Sequence, residues 1–179
     1  LGLVPTPVLY FATHHYDDAH AGVMVTGSHH PADFNGFKFV LDGAALGGAG
    51  LAALRERVRG RRFSEGAGGY ERRDVLPAYL NAMQRRHELS RPMKVVVDCG
   101  NGAAAVAAPE ALMLMGCDVV PLFLDVDGRF PNHAPDPADP DTLHDLRVTV
   151  RDVNADLGLA FDGDGDRLGV VLPDGELVY

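Results

Sequence analysis

Apolar residues along this chain fall into two alternating spacings, short β-branched runs and helical stripes, and these divide it into elements. Ala21–Thr26 is a buried-strand run, a polar loop of glycine, serine, histidine and proline fills 27–36, and a second strand is predicted around Phe37–Leu41. Leu51, Leu54 and Val58 fall at helical spacing over 48–59, opposite Arg55, Glu56 and Arg59. The stretch 60–73, rich in glycine and charge, predicts a loop. Asp74 predicts the cap of a helix reaching about Leu89, its carboxylate accepting from free N–H groups of the first turn. Ser90-Arg91-Pro92 then breaks the pattern and predicts a domain boundary.

After that break the pattern restarts. Lys94–Asp98 is a β-branched strand, Gly100-Asn101-Gly102 a tight turn, and 103–115 an alanine- and methionine-rich helix closed by Gly116. A strand over 118–123 leads into a loop punctuated by Pro131, Pro135, Pro137 and Pro140, and Asp141 predicts the cap of a helix to about Val153. Strands at 156–161 and 168–172, a Pro173-Asp174-Gly175 turn and a last strand through Val178-Tyr179 complete the chain. Strands alternating with helices predict an α/β fold whose sheet is mixed to mostly parallel, with ligands gathering at the carboxyl ends of strands. The organisation expected is two consecutive α/β units, 1–90 and 91–179.

Composition narrows the function. With 179 residues, 46% of them hydrophobic, the chain can pack a core, and its formal net charge of −9 disfavours a nucleic-acid or membrane-surface binder. No apolar run approaches a membrane span and no basic-then-apolar leader opens the chain. Cys99 and Cys117, each beside or within an apolar run, suit free thiols in a reducing cytoplasm better than a disulfide framework. The chain opens Leu1-Gly2-Leu3-Val4 and stops inside a strand, so both ends read as cut.

Two loops carry chemistry. Phe161-Asp162-Gly163-Asp164-Gly165-Asp166-Arg167 sets three carboxylates at alternate positions after an apolar strand. Hard divalent cations take oxygen ligands, and glycine lets neighbouring carboxylates converge. The second loop is Thr26-Gly27-Ser28-His29-His30-Pro31, followed by Asn35-Gly36-Phe37-Lys38. Ser28 is a candidate nucleophile on a tight turn, His29 a candidate proton exchanger near neutral pH, and Lys38 a cation that the Asn35-Gly36 turn is expected to fold back toward Ser28. An EF-hand reading of the aspartate loop fails, since the glycine and glutamate it needs at positions six and twelve are Arg167 and Pro173. Gly100-Asn101-Gly102 fits a dinucleotide turn only loosely, with Ala105 where its last glycine belongs. The pairs His14-His15 and His29-His30 have no partner at zinc-ligand spacing, so the first reads as loop or surface. Arg55, Arg57, Arg59, Arg61 and Arg62 read as a solvated helix face and its exit, and His133 as a loop-ordering residue.

Taken in order, these motifs resemble the α-D-phosphohexomutases. The Ser28 loop with Asn35-Gly36-Phe37-Lys38 resembles that family's phosphoserine loop, Asp162–Arg167 its magnesium loop, and Asp98-Cys99-Gly100-Asn101-Gly102 the opening of its second domain. Val4-Pro5-Thr6-Pro7 and Phe130-Pro131-Asn132-His133 extend the resemblance over essentially the whole chain, closest in wording to the bacterial phosphomannomutase/phosphoglucomutase branch. The resemblance implies that Ser28 carries a phosphoryl group and exchanges it with a hexose 1-phosphate or 6-phosphate through a hexose 1,6-bisphosphate, the sugar being mannose or glucose. It implies Mg²⁺ held by Asp162, Asp164, Asp166 and a phosphate oxygen on Ser28, with Arg167 and Lys38 neutralising charge and His29 moving a proton. It implies a cytoplasmic, monomeric enzyme of four domains. Of these the chain holds the later part of the first and most of the second, so a separate piece of this extent is expected to be inactive.

The family usually places asparagine where this chain has His30, and adjacent side chains of an extended loop diverge, so His29 and His30 are not both expected to face a phosphate. Two further readings stay open here, a phosphoglucosamine mutase and a non-catalytic Mg²⁺- or Ca²⁺-binding α/β module.

Overall fold

A computed structural model describes residues 1–178. The chain begins with helix α1, Thr6–His15, which the hydrophobic pattern does not mark because no Ser, Thr, Asp or Asn cap precedes it and prolines flank its start. Pro5 is the N-cap residue and Pro7 falls in the first turn, where a missing N–H leaves no helical bond unmade. His14 and His15 therefore sit in a last helical turn rather than a loop, and both are exposed.

Strand β1, Ala21–Val25, pairs antiparallel with β2, Phe37–Leu41, in a register that sets Met24 opposite Lys38. A tight turn at Asp42-Gly43, both with positive φ, adds the short β3, Ala44–Ala45, which no sequence signal marks. This first sheet, ordered β1-β2-β3, is antiparallel throughout, the antiparallel part of the mixed α/β fold expected. The reason is local: 26–36 contains no crossover helix, so the chain returns beside itself. Gly22 lets α1 lie close on β1, since a Cβ there would meet Leu9 Cδ1 and Thr13 Cγ2 at 3.0 Å. Val4, Val8, Ala12 and Val75 form the core of this unit.

Helix α2, Gly48–Arg59, lies where its stripe predicts, yet none of its residues is buried. Leu51, Leu54 and Val58 line a shallow groove with Val23, Phe37 and Phe39. Residues 61–75 form no regular element, and α3 runs Leu76–Arg86, stopping short of the expected Leu89. Asp74 does accept from the first turn, with Leu76 N–H at 3.2 Å. Ser90-Arg91-Pro92 lies in the non-helical stretch that follows.

A five-stranded sheet, ordered β5-β4-β6-β7-β8, builds the rest. The interior strand β4 (Lys94–Asp98) runs parallel to both its neighbours, β5 (Asp118–Leu122) and β6 (Leu157–Phe161). The edge, β7 (Leu168–Val171) and β8 (Leu177–Val178), is antiparallel, and Tyr179 lies outside the described residues. Both faces of β4 are covered, as a continuous Val95-Val96-Val97 run requires. Val96 packs with Leu143, Leu146, Val150, Ala160 and Val171 beneath α5, His144–Asp152, while Val95, Val97, Cys99 and Ala104 pack on the other face. Burial, reinforced by the Asp98 charge, raises the Cys99 thiol to about 12, and both cysteines are free.

Two predicted helices need correction. The helix expected over 103–115 is a 3-10 turn, Ala103–Val106, followed by α4, Ala108–Leu114, because Pro109 cannot donate in a helix interior and instead opens a new one. The helix expected from Asp141 begins at His144, after a 3-10 turn over Pro140–Leu143 whose cap is Asp139, accepting from Asp141 N–H at 3.0 Å.

Candidate active site

The ends of β4 and β6 place two turns side by side. After β4, Gly100 and Asn101 take positive φ, and Gly102 presses on the aspartate loop so closely that a Cβ would lie 2.8 Å from the Gly163 carbonyl oxygen. Ala103 N–H donates to that same carbonyl at 2.9 Å. After β6, Asp162 organises its own loop, its Oδ1 accepting from the N–H groups of Asp166 and Arg167 at 3.0 Å each. Asp162 and Asp164 are fully buried. With Asp166 they bring one ligand oxygen each within 4.8 Å of one another.

The first unit delivers its polar groups to this loop. Thr26 Oγ1 accepts from Ser28 N–H at 2.8 Å, and Ser28 adopts the left-handed region, φ 52, which a non-glycine residue rarely holds without a local reason. That conformation sets the Ser28 carbonyl against Gly163, in space any Cβ would fill. Ser28 Oγ donates to Asp162 Oδ2 at 2.6 Å, across 134 positions of sequence, and accepts from Arg167 Nη2 at 2.5 Å. Arg167 also reaches Asp162 through Nε at 3.2 Å and touches His29 Nδ1. His30 turns away, its Nδ1 beside the Gly27 carbonyl at 3.1 Å, so adjacent histidines address different partners.

Lys38 does not bond Ser28, as the Asn35-Gly36 turn suggests it would. From β2 it reaches the second unit's carboxylates, donating to Asp164 Oδ2 at 2.6 Å and to Asp166 Oδ2. Burial and partners set the charges. Burial pushes the Asp162 carboxyl above its usual range, against the bond from Ser28. Burial acts the same way on Asp164, but donation by Lys38 and Thr6 outweighs it and holds that carboxyl low. Burial disfavours the Lys38 ammonium, and bonds to Asp164 and Asp166 more than restore it.

Thr6 completes the constellation, and no chemical pattern around it announces the role. Its hydroxyl donates to Asp164 Oδ2 at 2.5 Å from 158 positions away, and its N–H to the Asp164 carbonyl at 2.8 Å. The all-oxygen set fits a hard cation: three converging carboxylates beside a seryl oxygen, with Asp164 Oδ1 buried and, among the described residues, without a hydrogen-bond partner. Behind the site the predicted loop-ordering residue, His133, stands with Nε2 3.1 Å from Asp98 Oδ2, and Asn132 Nδ2 donates to Asn101 Oδ1 at 2.7 Å.

Comparison with known families accounts for both halves. The alpha/beta/alpha domain I of phosphoglucomutase/phosphomannomutase matches residues 1–65, and its alpha/beta/alpha domain II matches 77–175. The chain belongs to the phosphoglucomutase/phosphomannomutase family. A phosphomannomutase/phosphoglucomutase of Pseudomonas aeruginosa is 51% identical over 179 residues, all of this chain but 38% of that protein. A phosphoglucomutase of Neisseria meningitidis is 43% identical over 181 residues, again all of this chain and 39% of that protein. The crystal structure of a phosphoglucomutase/phosphomannomutase family protein from Burkholderia thailandensis superposes with a TM-score of 0.93 at 46% identity, covering 98% of this chain and 40% of that one. The chain thus spans about two fifths of the length of these phosphoglucomutase/phosphomannomutase relatives. Among the described residues no helix is long and apolar enough to cross a membrane.

Proposed function

We propose that this chain is the phosphoserine- and magnesium-bearing part of a phosphomannomutase/phosphoglucomutase, which moves phosphate between C6 and C1 of a hexose monophosphate through a 1,6-bisphosphate. The observation that carries this is the convergence of Ser28 Oγ, Asp162 Oδ2 and Arg167 Nη2 within 2.5–3.1 Å, formed by two units far apart in sequence. Ser28 holds the phosphoryl group in the resting enzyme. In transfer, the bond between phosphorus and Ser28 Oγ breaks as a sugar hydroxyl oxygen bonds to phosphorus. Arg167, donating to Oγ, meets the negative charge that develops on the departing serine oxygen, and its fork suits phosphate oxygens. His29, beside Arg167, takes the hydroxyl proton. Lys38 offsets the carboxylate charge that would otherwise repel a phosphate. The reverse transfer returns the sugar's other phosphate to Ser28. When bound, Mg²⁺ supplies electrostatic neutralisation of the phosphoryl oxygens, held by Asp162, Asp164, Asp166 and a phosphate oxygen on Ser28.

The division at Ser90-Arg91-Pro92 gives Ser28 to the first domain and the aspartate loop to the second, with the sugar- and phosphate-reading loops in the remaining length of such enzymes. The free thiols of Cys99 and Cys117 suit a cytoplasmic setting.

The test uses the full-length protein that contains this chain. Mass spectrometry is expected to find phosphate on Ser28, transferable to added mannose or glucose monophosphate. Ser28→Ala removes both the phosphate and the mutase turnover. Turnover that survives Ser28→Ala would falsify the mechanism, and preference for glucosamine phosphate over both hexoses would redirect it to a phosphoglucosamine mutase.

A further inference from the structure

Thr6 has no part in that transfer, yet it is fully buried and spends both of its donors on one residue. It opens α1, and its N–H fixes the main chain of Asp164 while its hydroxyl fixes the carboxylate. Lys38 Nζ takes the same carboxylate oxygen, so Oδ2 has two donors. Oδ1 has none, and among the described residues it is the buried side-chain polar atom without a hydrogen-bond partner. A buried ionised oxygen left bare is unfavourable unless a cation meets it. Asp164 is one of three residues, with Asp162 and Asp166, that each bring a ligand oxygen within 4.8 Å of the others.

We propose that Thr6 is a positioning residue for the divalent cation: by holding Oδ2 of Asp164, its hydroxyl turns Oδ1 toward the ion and keeps the carboxylate from binding through both oxygens. This rests on reading the three aspartates as cation ligands. A carboxylate restricted to one oxygen suits the small octahedral shell of Mg²⁺ and disfavours Ca²⁺, which takes more ligands and accepts bidentate carboxylates. Thr6 belongs to the first unit and Asp164 to the second, so the choice of ion depends on how the two are docked. Thr6 is thus set apart from Ser28 and Arg167, whose contacts meet the phosphoryl group itself.

The measurement is calorimetric titration of the full-length protein with Mg²⁺ and, separately, Ca²⁺, which reads ion binding whether or not Ser28 proves to be phosphorylated. Thr6→Val keeps shape and removes the hydroxyl. It is expected to weaken Mg²⁺ binding by about 10- to 100-fold, the usual cost of losing a group that orients a metal ligand, and to weaken Ca²⁺ binding less. Thr6→Ser restores Mg²⁺ affinity to within a few fold. Should Thr6→Val fail to fold, Thr6→Ser and Thr6→Ala differ only in the hydroxyl and carry the same comparison. Equal Mg²⁺ affinity in the wild type and a folded hydroxyl-free variant would overturn the proposal. So would a Thr6→Ser protein that loses as much affinity as Thr6→Ala, since the methyl group would then be what matters.

Discussion

The two sheets enclose their apolar residues to very different degrees. In the second, Val96, Leu146 and Val171 are completely inaccessible, and both faces of β4 are covered. In the first, Val25 is 57% and Phe37 63% exposed, and α2 buries nothing. The aspartate loop therefore stands on a scaffold that packs itself, whereas the Ser28 loop takes much of its geometry from the seam. Ser28 holds its left-handed conformation against Gly163, and Arg167 and Asp162 fix its hydroxyl. The carboxylates come from the rigid half, and Ser28 comes from the half with the thinner core.

The largest effect that tests this contrast lies in the loop. Asp164→Asn in the full-length protein keeps the size of the side chain and removes its charge, so mutase turnover is expected to fall on the order of 10²- to 10³-fold, the scale of losing one preorganised electrostatic group. Near-ultraviolet circular dichroism should stay that of the wild type, because the surrounding scaffold does not depend on that charge. Gross unfolding would instead make the loop a structural staple and reverse the assignment of the rigid half. An effect next in size compares the two interiors directly by amide hydrogen exchange. Leu146→Ala should destabilise β4 and β6 by about 2–5 kcal/mol, the range for emptying a closed core site. Val25→Ala should change the opening energy of β1 by no more than about 0.5 kcal/mol, as for an exposed position. If Val25→Ala costs as much as Leu146→Ala, that face is covered in the full-length protein and the contrast belongs to this portion alone.

How much of this was readable follows from where each signal resides. The β-branched run Val95-Val96-Val97 and the alternating aspartates are local patterns, so β4 and the carboxylate cluster could be placed from sequence. Ser28 was singled out by its tight polar turn, and pairing it with the loop depended on family resemblance. Spacing along the chain says nothing about a contact 134 positions away. Lys38 illustrates the limit: the partners of its ammonium, Asp164 and Asp166, lie 126 and 128 positions away in the other unit. Thr6 falls within the Val4-Pro5-Thr6-Pro7 stretch that carries the resemblance, but a threonine between two prolines has no chemical signature of its own until Asp164 is folded against it. Strand and helix alternation leaves the antiparallel order of the first sheet open, because it does not say whether a loop crosses over or turns back. Pro109 was an available signal for splitting the 103–115 helix.

The smallest expected effect probes whether the rigid half is fastened beneath the aspartate loop as well as within its core. His133 lies with Nε2 between the oxygens of buried Asp98, which in turn accepts from Gly100 N–H at 2.8 Å and so shapes the turn pressing on Gly163. The bond to Asp98 raises the His133 pKa above its ordinary value, burial opposing, and the Ala134 carbonyl adds in the same direction. A group whose folded pKa is raised contributes stability in full below its unfolded pKa, about 6.5 for histidine, and that contribution fades as pH rises through the folded value. His133→Gln should therefore lower the opening free energy of β4 amides by about 1–2 kcal/mol below that pH, the scale of a hydrogen bond to a charged group. The difference should narrow toward alkaline pH, where wild-type His133 is neutral too. A difference that grew with pH would mean that the neutral imidazole is the stabilising form. The scaffold under Gly163 would then rest on packing against Phe123, whose ring lies edge-on to His133 at 5.2 Å, and not on the ion pair.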